Sequence, residues 1–170
     1  MKLHRIKTLK DIEIVKKFFY QIFLDESGYD LIHFKDSIGK QQTFKRLEFY
    51  LATINRTIVG LTGIYADQDS ECWLGWFGIR PEYRHRGYAN KMLDLTLEKM
   101  QKYGYKVCRI YTNSVHNEDA VKLYLKKGFQ INSKSRGNII TMAKSLGDSI
   151  VISKWKGKPL GFVPEWPMHS

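Results

Sequence analysis

The stretch with the clearest chemical potential is Gly78-Ile79-Arg80-Pro81-Glu82-Tyr83-Arg84-His85-Arg86-Gly87-Tyr88-Ala89-Asn90. An apolar, strand-patterned run over residues 72–79 leads into it, and a helix-patterned run leaves it. A strand, a basic turn with glycine and a helix start together make an anion site. The first N–H groups of a helix have no partner inside the helix, and the helix dipole adds positive potential there. Arg84 and Arg86 supply full charges that can pair with phosphate. Gly87 lets the backbone approach a ligand closely, and small Ala89 keeps the helix start open. Taken alone, the same residues also read as a solvated basic loop before a helix.

The elements that must position this loop follow from the pattern around it. Residues 3–7 alternate as a first strand. Thr8 is placed to cap a helix carrying Ile12, Val15, Phe19 and Ile22 on one face. The pattern breaks at Ser27-Gly28, and residues 31–34 can start a short helix; His33 there reads as a surface or packing histidine. Residues 48–54 and 57–65 form a hairpin across Asn55-Arg56, with Gly60 and Gly63 marking a bulge or a close backbone approach. Residues 71–79 are the next strand, on which alternation sets Trp73 and Phe77 on one face and Trp76 on the other. The helix after the loop carries Ala89, Leu93, Leu97 and Met100 and stops near Tyr103-Gly104. Residues 106–112 are an apolar strand, so strand, crossover helix and strand imply parallel pairing. Residues 117–129 are a second helix with acids in its first turn, Lys126 and Lys127 in its last, and Gly128 at its end. Asn117 and Tyr124, seven apart, share a face of it. Residues 138–143 make a strand that can pair near Gln130-Ile131, and residues 149–155 suit one more strand.

The bulk composition narrows the class. A chain of 170 residues with 43% hydrophobic and 14% aromatic residues forms one folded domain. No apolar run reaches about 18 residues and no signal-peptide core is present, so a cytoplasmic protein with no membrane partner is expected. Cys72 and Cys108 are isolated and read as reduced core thiols, with no metal-ligand spacing. The net charge is +11, and residues 80–136 hold thirteen Lys/Arg against five Asp/Glu. That half would attract a polyanion, either a phosphate-bearing coenzyme or nucleic acid.

Two motifs carry a family resemblance, which covers residues 3–145. Arg84-His85-Arg86-Gly87-Tyr88-Ala89 matches the Arg/Gln-x-x-Gly-x-Gly/Ala signature of the GNAT superfamily of N-acetyltransferases. Asn117-Glu118-Asp119-Ala120-Val121-Lys122-Leu123-Tyr124-Leu125-Lys126-Lys127-Gly128-Phe129 resembles that family's Asn-x-x-Ala-x-x-Leu-Tyr-x-x-x-Gly-Phe motif. The resemblance implies an α/β (α+β) fold: a mixed, mostly antiparallel twisted sheet with one splayed parallel pair, flanked by helices. It implies acetyl-CoA as co-substrate, no metal, and acetyl transfer to a primary amine of a small molecule or protein. Arg84, His85, Arg86, Gly87, Tyr88, Ala89 and Asn90 would meet the pyrophosphate. Backbone of Gly78, Ile79 and Arg80 would run beside the pantetheine arm, one N–H polarising the thioester carbonyl. Asn113 and Asn117 would meet the lower part of the cofactor. Tyr124 would be the general acid for the departing thiolate.

The general base is where the chain departs from the family pattern. Some members carry a glutamate where Trp73 falls here; Glu71, two residues earlier on the same strand face, is the candidate, with a water relay as the alternative. The expected division is an acetyltransferase domain over residues 1–146 and an extension over 147–170. That aromatic, Pro-rich extension would pack on the domain or on a partner subunit, as in a homodimer. Two rival functions stand beside the enzyme: an acyl-CoA-binding module without efficient transfer, and a basic nucleic-acid-binding protein, for which no recognition motif is present.

Overall fold

The computed structural model describes residues 1–23, 30–39, 44–134 and 137–157. Its elements in chain order are β1 (Lys2–Arg5), α1 (Leu9–Lys16), α2 (Phe19–Ile22), α3 (Asp30–Ile38), β2 (Arg46–Ile54), β3 (Thr57–Ala66), β4 (Glu71–Ile79), α4 (Tyr88–Lys102), β5 (Val107–Asn113), α5 (Glu118–Lys126), β6 (Gln130–Lys134) and β7 (Ile139–Ser145). A single sheet runs in the order β1-β2-β3-β4-β5-β7-β6. Every neighbouring pair is antiparallel except β4 with β5, the pair joined by the α4 crossover.

Local chemistry explains several of these boundaries. Thr8 caps α1: its hydroxyl accepts from Asp11 N–H at 3.2 Å, and the Asp11 carboxylate accepts from Thr8 N–H at 2.9 Å. The β2–β3 turn holds Asn55 and Arg56 at φ 47° and 68°, the left-handed pair that matches the twist of a two-residue hairpin. Gly60 is a close approach, since a Cβ there would stand 2.6 Å from the Gly78 carbonyl oxygen.

Helices cover both faces of the sheet. One face buries Ile12, Val15, Phe19, Ile22 and Phe34 from α1–α3 against Phe49, Tyr65 and Trp73 of the strands. The other buries Leu93, Leu97, Met100 and Tyr124 from α4 and α5 against Ile64, Leu74 and Ile110. The alternating pattern of each strand divides between these two clusters, which makes the sheet the middle layer of a sandwich.

The structure differs from the sequence reading in three places. The helix expected to run on through Ile22 breaks at Phe18, where φ is −132°. Phe18 and Phe19 are both buried, and neighbours on one straight helix point about 100° apart, so the turn lets both rings reach the core. Trp76, not Phe77, shares a face with Trp73: Trp76 packs on the α1–α3 cluster and Phe77 on the opposite one. The cause is a bulge. Gly63 pairs with Gly75 but Leu61 with Gly78, which inserts one extra residue in β4, and Trp76 adopts φ 46° to absorb it. Finally, residues 149–156 form no strand. Side chains hold this segment instead: Arg109 Nη2 donates to the Ser153 carbonyl at 3.1 Å, and Trp155 N–H to Asn132 Oδ1 at 2.8 Å. Trp155 packs on this chain's own Trp73, ring centroids 5.0 Å apart. Residues 158–170 and the side chain of His33 lie outside the described residues.

Candidate active site

The site is built where β4 and β5 separate. Their parallel ladder runs from Glu71↔Val107 to Leu74↔Ile110 and then stops, although β4 continues to Ile79 and β5 to Asn113. The bulge at Trp76 falls just beyond the last pair and turns β4 away from β5. Burial follows the same line: residues 72–74 are buried, and residues 75–78 are half-buried. The opening therefore exposes the edges of two adjacent strands in the middle of a sheet.

Hydrogen bonding then selects which backbone groups face the opening. Arg80 N–H donates to Val59 carbonyl on β3 at 2.9 Å. Alternation along the strand turns the N–H of Ile79 the other way, toward the gap. Of the expected trio Gly78, Ile79 and Arg80, Ile79 is thus the residue with its donor on the open edge, while the Arg80 donor is committed to the sheet. The Ile79 carbonyl accepts from Arg84 Nε at 3.0 Å, which ties the basic loop to the end of β4.

After a 3-10 turn over Pro81–Tyr83, the loop reaches α4 through two left-handed residues, His85 at φ 58° and Gly87 at φ 75°. Gly87 is the residue before α4, and no side chain caps the helix. The first intrahelical bond is Lys91 N–H to Gly87 carbonyl at 3.2 Å, so the N–H groups of Tyr88, Ala89 and Asn90 precede the ladder. A Cβ at Gly87 would meet nothing within 4 Å, so the space over the helix start is open. Arg84, His85 and Arg86 are exposed there, with the Arg86 guanidinium 5.7 Å from the Tyr83 ring centre. Open helix donors, a positive dipole end and two guanidiniums make a seat fit for a pyrophosphate.

The opposite wall comes from β5 and α5. Asn113 Oδ1 accepts from the N–H groups of Val115 and His116 at 3.0 and 2.9 Å, shaping the turn into α5. Asn117 begins α5 and its amide donates to Thr112 Oγ1 at 3.1 Å. One face further along, Tyr124 is buried with its ring centre 6.1 Å from Phe77 and 5.8 Å from Phe129. Burial, with a contribution from Cys108, pushes the Tyr124 phenol above its usual range, so it stays protonated at neutral pH.

Glu71 does not join this group. It pairs with Val107 at the closed end of the parallel ladder. Both its oxygens accept from Arg109, Nε to Oε2 at 2.6 Å and Nη2 to Oε1 at 3.0 Å. Arg109 is 1% exposed, and its remaining Nη1 donates to Asn132 at 2.8 Å. A buried guanidinium needs such a partner, and the bidentate pair occupies the carboxylate. This arginine, unnoticed among the basic residues of the sequence, is found only from its depth in the fold.

Among the described residues no group of His, Cys, Asp and Glu could hold a metal ion, and no helix is long and apolar enough to cross a membrane.

No curated protein matches the chain in sequence. Solved structures show the same fold at low identity. A GNAT family acetyltransferase from Elizabethkingia anophelis with acetyl-CoA bound aligns at TM-score 0.59 and 18% identity, over 75% of this chain and 89% of that one. A ribosomal-protein-alanine N-acetyltransferase from Escherichia coli aligns at TM-score 0.67 and 16% identity, over 89% and 100%. The PaiA N-acetyltransferase from Thermoplasma acidophilum in complex with coenzyme A aligns at TM-score 0.61 and 18% identity, over 85% and 99%. The acetyltransferase (GNAT) family model matches residues 12–129, from α1 through α5, and the chain belongs to that family.

Proposed function

We propose that this protein transfers the acetyl group of acetyl-CoA to a primary amine, with the donor held in the gap between β4 and β5. The observation that carries the reading is the junction of three features: the strand separation after Leu74↔Ile110, the open N–H groups of α4, and Arg84 and Arg86 beside them. The solved relatives with acetyl-CoA or coenzyme A bound support the same ligand.

The residues divide the work by chemistry. The α4 start, with Arg84 and Arg86, neutralises the pyrophosphate. The N–H of Ile79 polarises the thioester carbonyl, where charge grows as the amine adds. Tyr124 donates its proton to the sulfur as the C–S bond breaks. With Glu71 closed on Arg109, the proton of the attacking amine leaves through water.

Thermal unfolding with acetyl-CoA, coenzyme A and ATP tests the reading. A ligand that binds only the folded chain raises the midpoint. The expected result is a clear rise with both coenzymes and little with ATP. No rise at concentrations far above micromolar overturns it. A rise without thiol release on any amine would favour an acyl-CoA-binding module, the reading that the occupied Glu71 carboxylate also suits.

A further inference from the structure

Helix α5 ties the two walls of the opening together. It follows β5 in the chain, yet its contacts reach the β4 side. The Tyr124 ring centre stands 6.1 Å from that of Phe77, a residue of β4 beyond the last ladder pair Leu74↔Ile110. Just past Tyr124, Lys127 Nζ donates to both carboxylate oxygens of Asp94 on α4, at 2.6 and 2.8 Å. α5 therefore belongs to the β5 wall by chain connection and to the β4 wall by contact.

Among the described residues, side chains of residues 117–127 hydrogen-bond to other elements at the two ends of the helix. At its start Asn117 donates to Thr112 Oγ1 at 3.1 Å, on the strand that α5 follows. At its end Lys127 meets Asp94. Tyr124 lies between these ends, and Ala120, Val121 and Leu123 pack beside it, only partly buried. Apolar contact is non-directional and lets a helix slide or roll, whereas a charge-assisted bond to two oxygens fixes a point. Lys127 also acts on Tyr124 through the backbone. Its N–H donates to the Leu123 and Tyr124 carbonyls at 3.0 and 3.1 Å, and the Tyr124 carbonyl accepts again from Phe129 N–H at 3.0 Å. A shift of Lys127 is thus felt within the same turn, at the residue proposed to give its proton to sulfur.

Exposure separates this role from plain stabilisation. The Lys127 side chain is 21% exposed and that of Asp94 48%. Ion pairs this open add little to global stability. A second cation is close by: Asp94 and Lys144 line one groove, and a Cβ on Gly128 would stand 3.0 Å from Lys144 Nζ. Lys144 can answer the loss of Lys127, so Asp94 is the decisive residue to change.

Resting on the acetyl-transfer reading above, we infer that Asp94 and Lys127 are positioning residues for the general acid. The pair pins the end of α5 to α4, the helix proposed to seat the phosphates, and so sets where the Tyr124 hydroxyl stands relative to the donor.

Asp94→Asn and Lys127→Met are compared with the parent, with Lys127→Arg as the conservative variant. Hydrogen exchange of the free proteins reads position without any ligand. The amides of residues 127–129 should exchange about threefold faster or more in Asp94→Asn, with the urea midpoint close to that of the parent. Thiol release from acetyl-CoA is followed with spermidine, tyramine and alaninamide as acceptors. On the best of these, Asp94→Asn should lower kcat about three- to tenfold and leave acetyl-CoA affinity within about twofold, since a small misplacement is felt in the chemical step. Lys127→Arg should keep most of the parent rate. The double variant should be no slower than Asp94→Asn alone. In a Tyr124→Phe background Asp94→Asn should have no further effect, because the pair acts through the hydroxyl. An equal loss in both backgrounds overturns the inference. So does an unchanged kcat, whatever the midpoint, and so does unchanged exchange. Equal turnover by the parent and Tyr124→Phe removes Tyr124 from the reaction and the inference with it. A parent that binds no acetyl-CoA, or binds it without thiol release, removes the acetyl-transfer reading itself, and the inference falls with that reading.

Discussion

The hydroxyl of Tyr124 illustrates how burial and chemistry combine in one residue. Its ring packs between Phe77 and Phe129, which is ordinary core behaviour, and the same burial holds the phenol protonated. Tyr124→Phe keeps the packing and removes the proton. It should lower kcat by about 10²-fold or more while leaving acetyl-CoA affinity near that of the parent, as read by single-turnover kinetics beside calorimetry. Unchanged turnover would take Tyr124 out of the reaction. Glu71 sits in a different setting. Its place two residues from Trp73 makes it a candidate base, and in the structure both its oxygens accept from buried Arg109. The partner that decides this lies on another strand, 38 residues further along the chain.

The bulge in β4 is the device at the scale of elements. It separates β4 from β5, reverses the expected faces of Trp76 and Phe77, and leaves Gly78 on the side where α2 packs. A Cβ on Gly78 would run into Ile22 Cγ2 and stand 3.1 Å from Phe23 Cζ. This glycine is therefore required by the close seat of α2 on the strand, in addition to any approach of ligand. Gly78→Ala should cost about 1–3 kcal/mol in urea unfolding, because overpacking forces α2 or β4 to shift. A midpoint equal to the parent would mean that α2 yields without cost. The loop before α4 works by a different logic. Gly87 has open space around it and a left-handed φ of 75°, so there the backbone angle, not crowding, asks for glycine.

At the scale of the whole molecule, a buried carboxylate joins the first strands to the end of α4. Glu48 is 5% exposed. Its Oε2 accepts from the hydroxyls of Tyr50 and, at 2.8 Å, Tyr103, and its Oε1 accepts from Arg46 at 2.7 Å and pairs with Arg5 at 3.3 Å. Burial alone would raise its pKa, but the two tyrosine hydrogen bonds and the Arg5 and Arg46 charges outweigh it and leave the carboxyl below its usual value. A carboxyl whose folded pKa is depressed adds stability above the unfolded pKa of about 4.3 and loses it as pH falls through the lower folded value. Urea midpoints of the parent should thus fall steeply below about pH 4.3. Glu48→Gln should be less stable at pH 7 and show a shallower fall over the same range. Parallel pH curves for the two proteins would assign the acid sensitivity elsewhere.

Much of this molecule was legible along the chain. The parallel crossover, the Asn55-Arg56 hairpin, the Thr8 cap and the basic loop before α4 all rest on local signals: periodicity, capping chemistry and left-handed turn residues within a few positions of each other. Local rules fail where two distant segments meet. Strict alternation misplaced Trp76 because one extra residue in β4 is recognised only against β3. The tail at residues 149–156 has strand-like residues but no ladder, because side chains of Arg109 and Asn132 hold its backbone instead. The partner of Glu71 likewise depends on which strands become neighbours. The sequence by itself determined most of the elements and the basic loop between β4 and α4. Tertiary structure alone decided which charges are paired and which faces of β4 are covered, since both depend on contacts with residues far away in the chain.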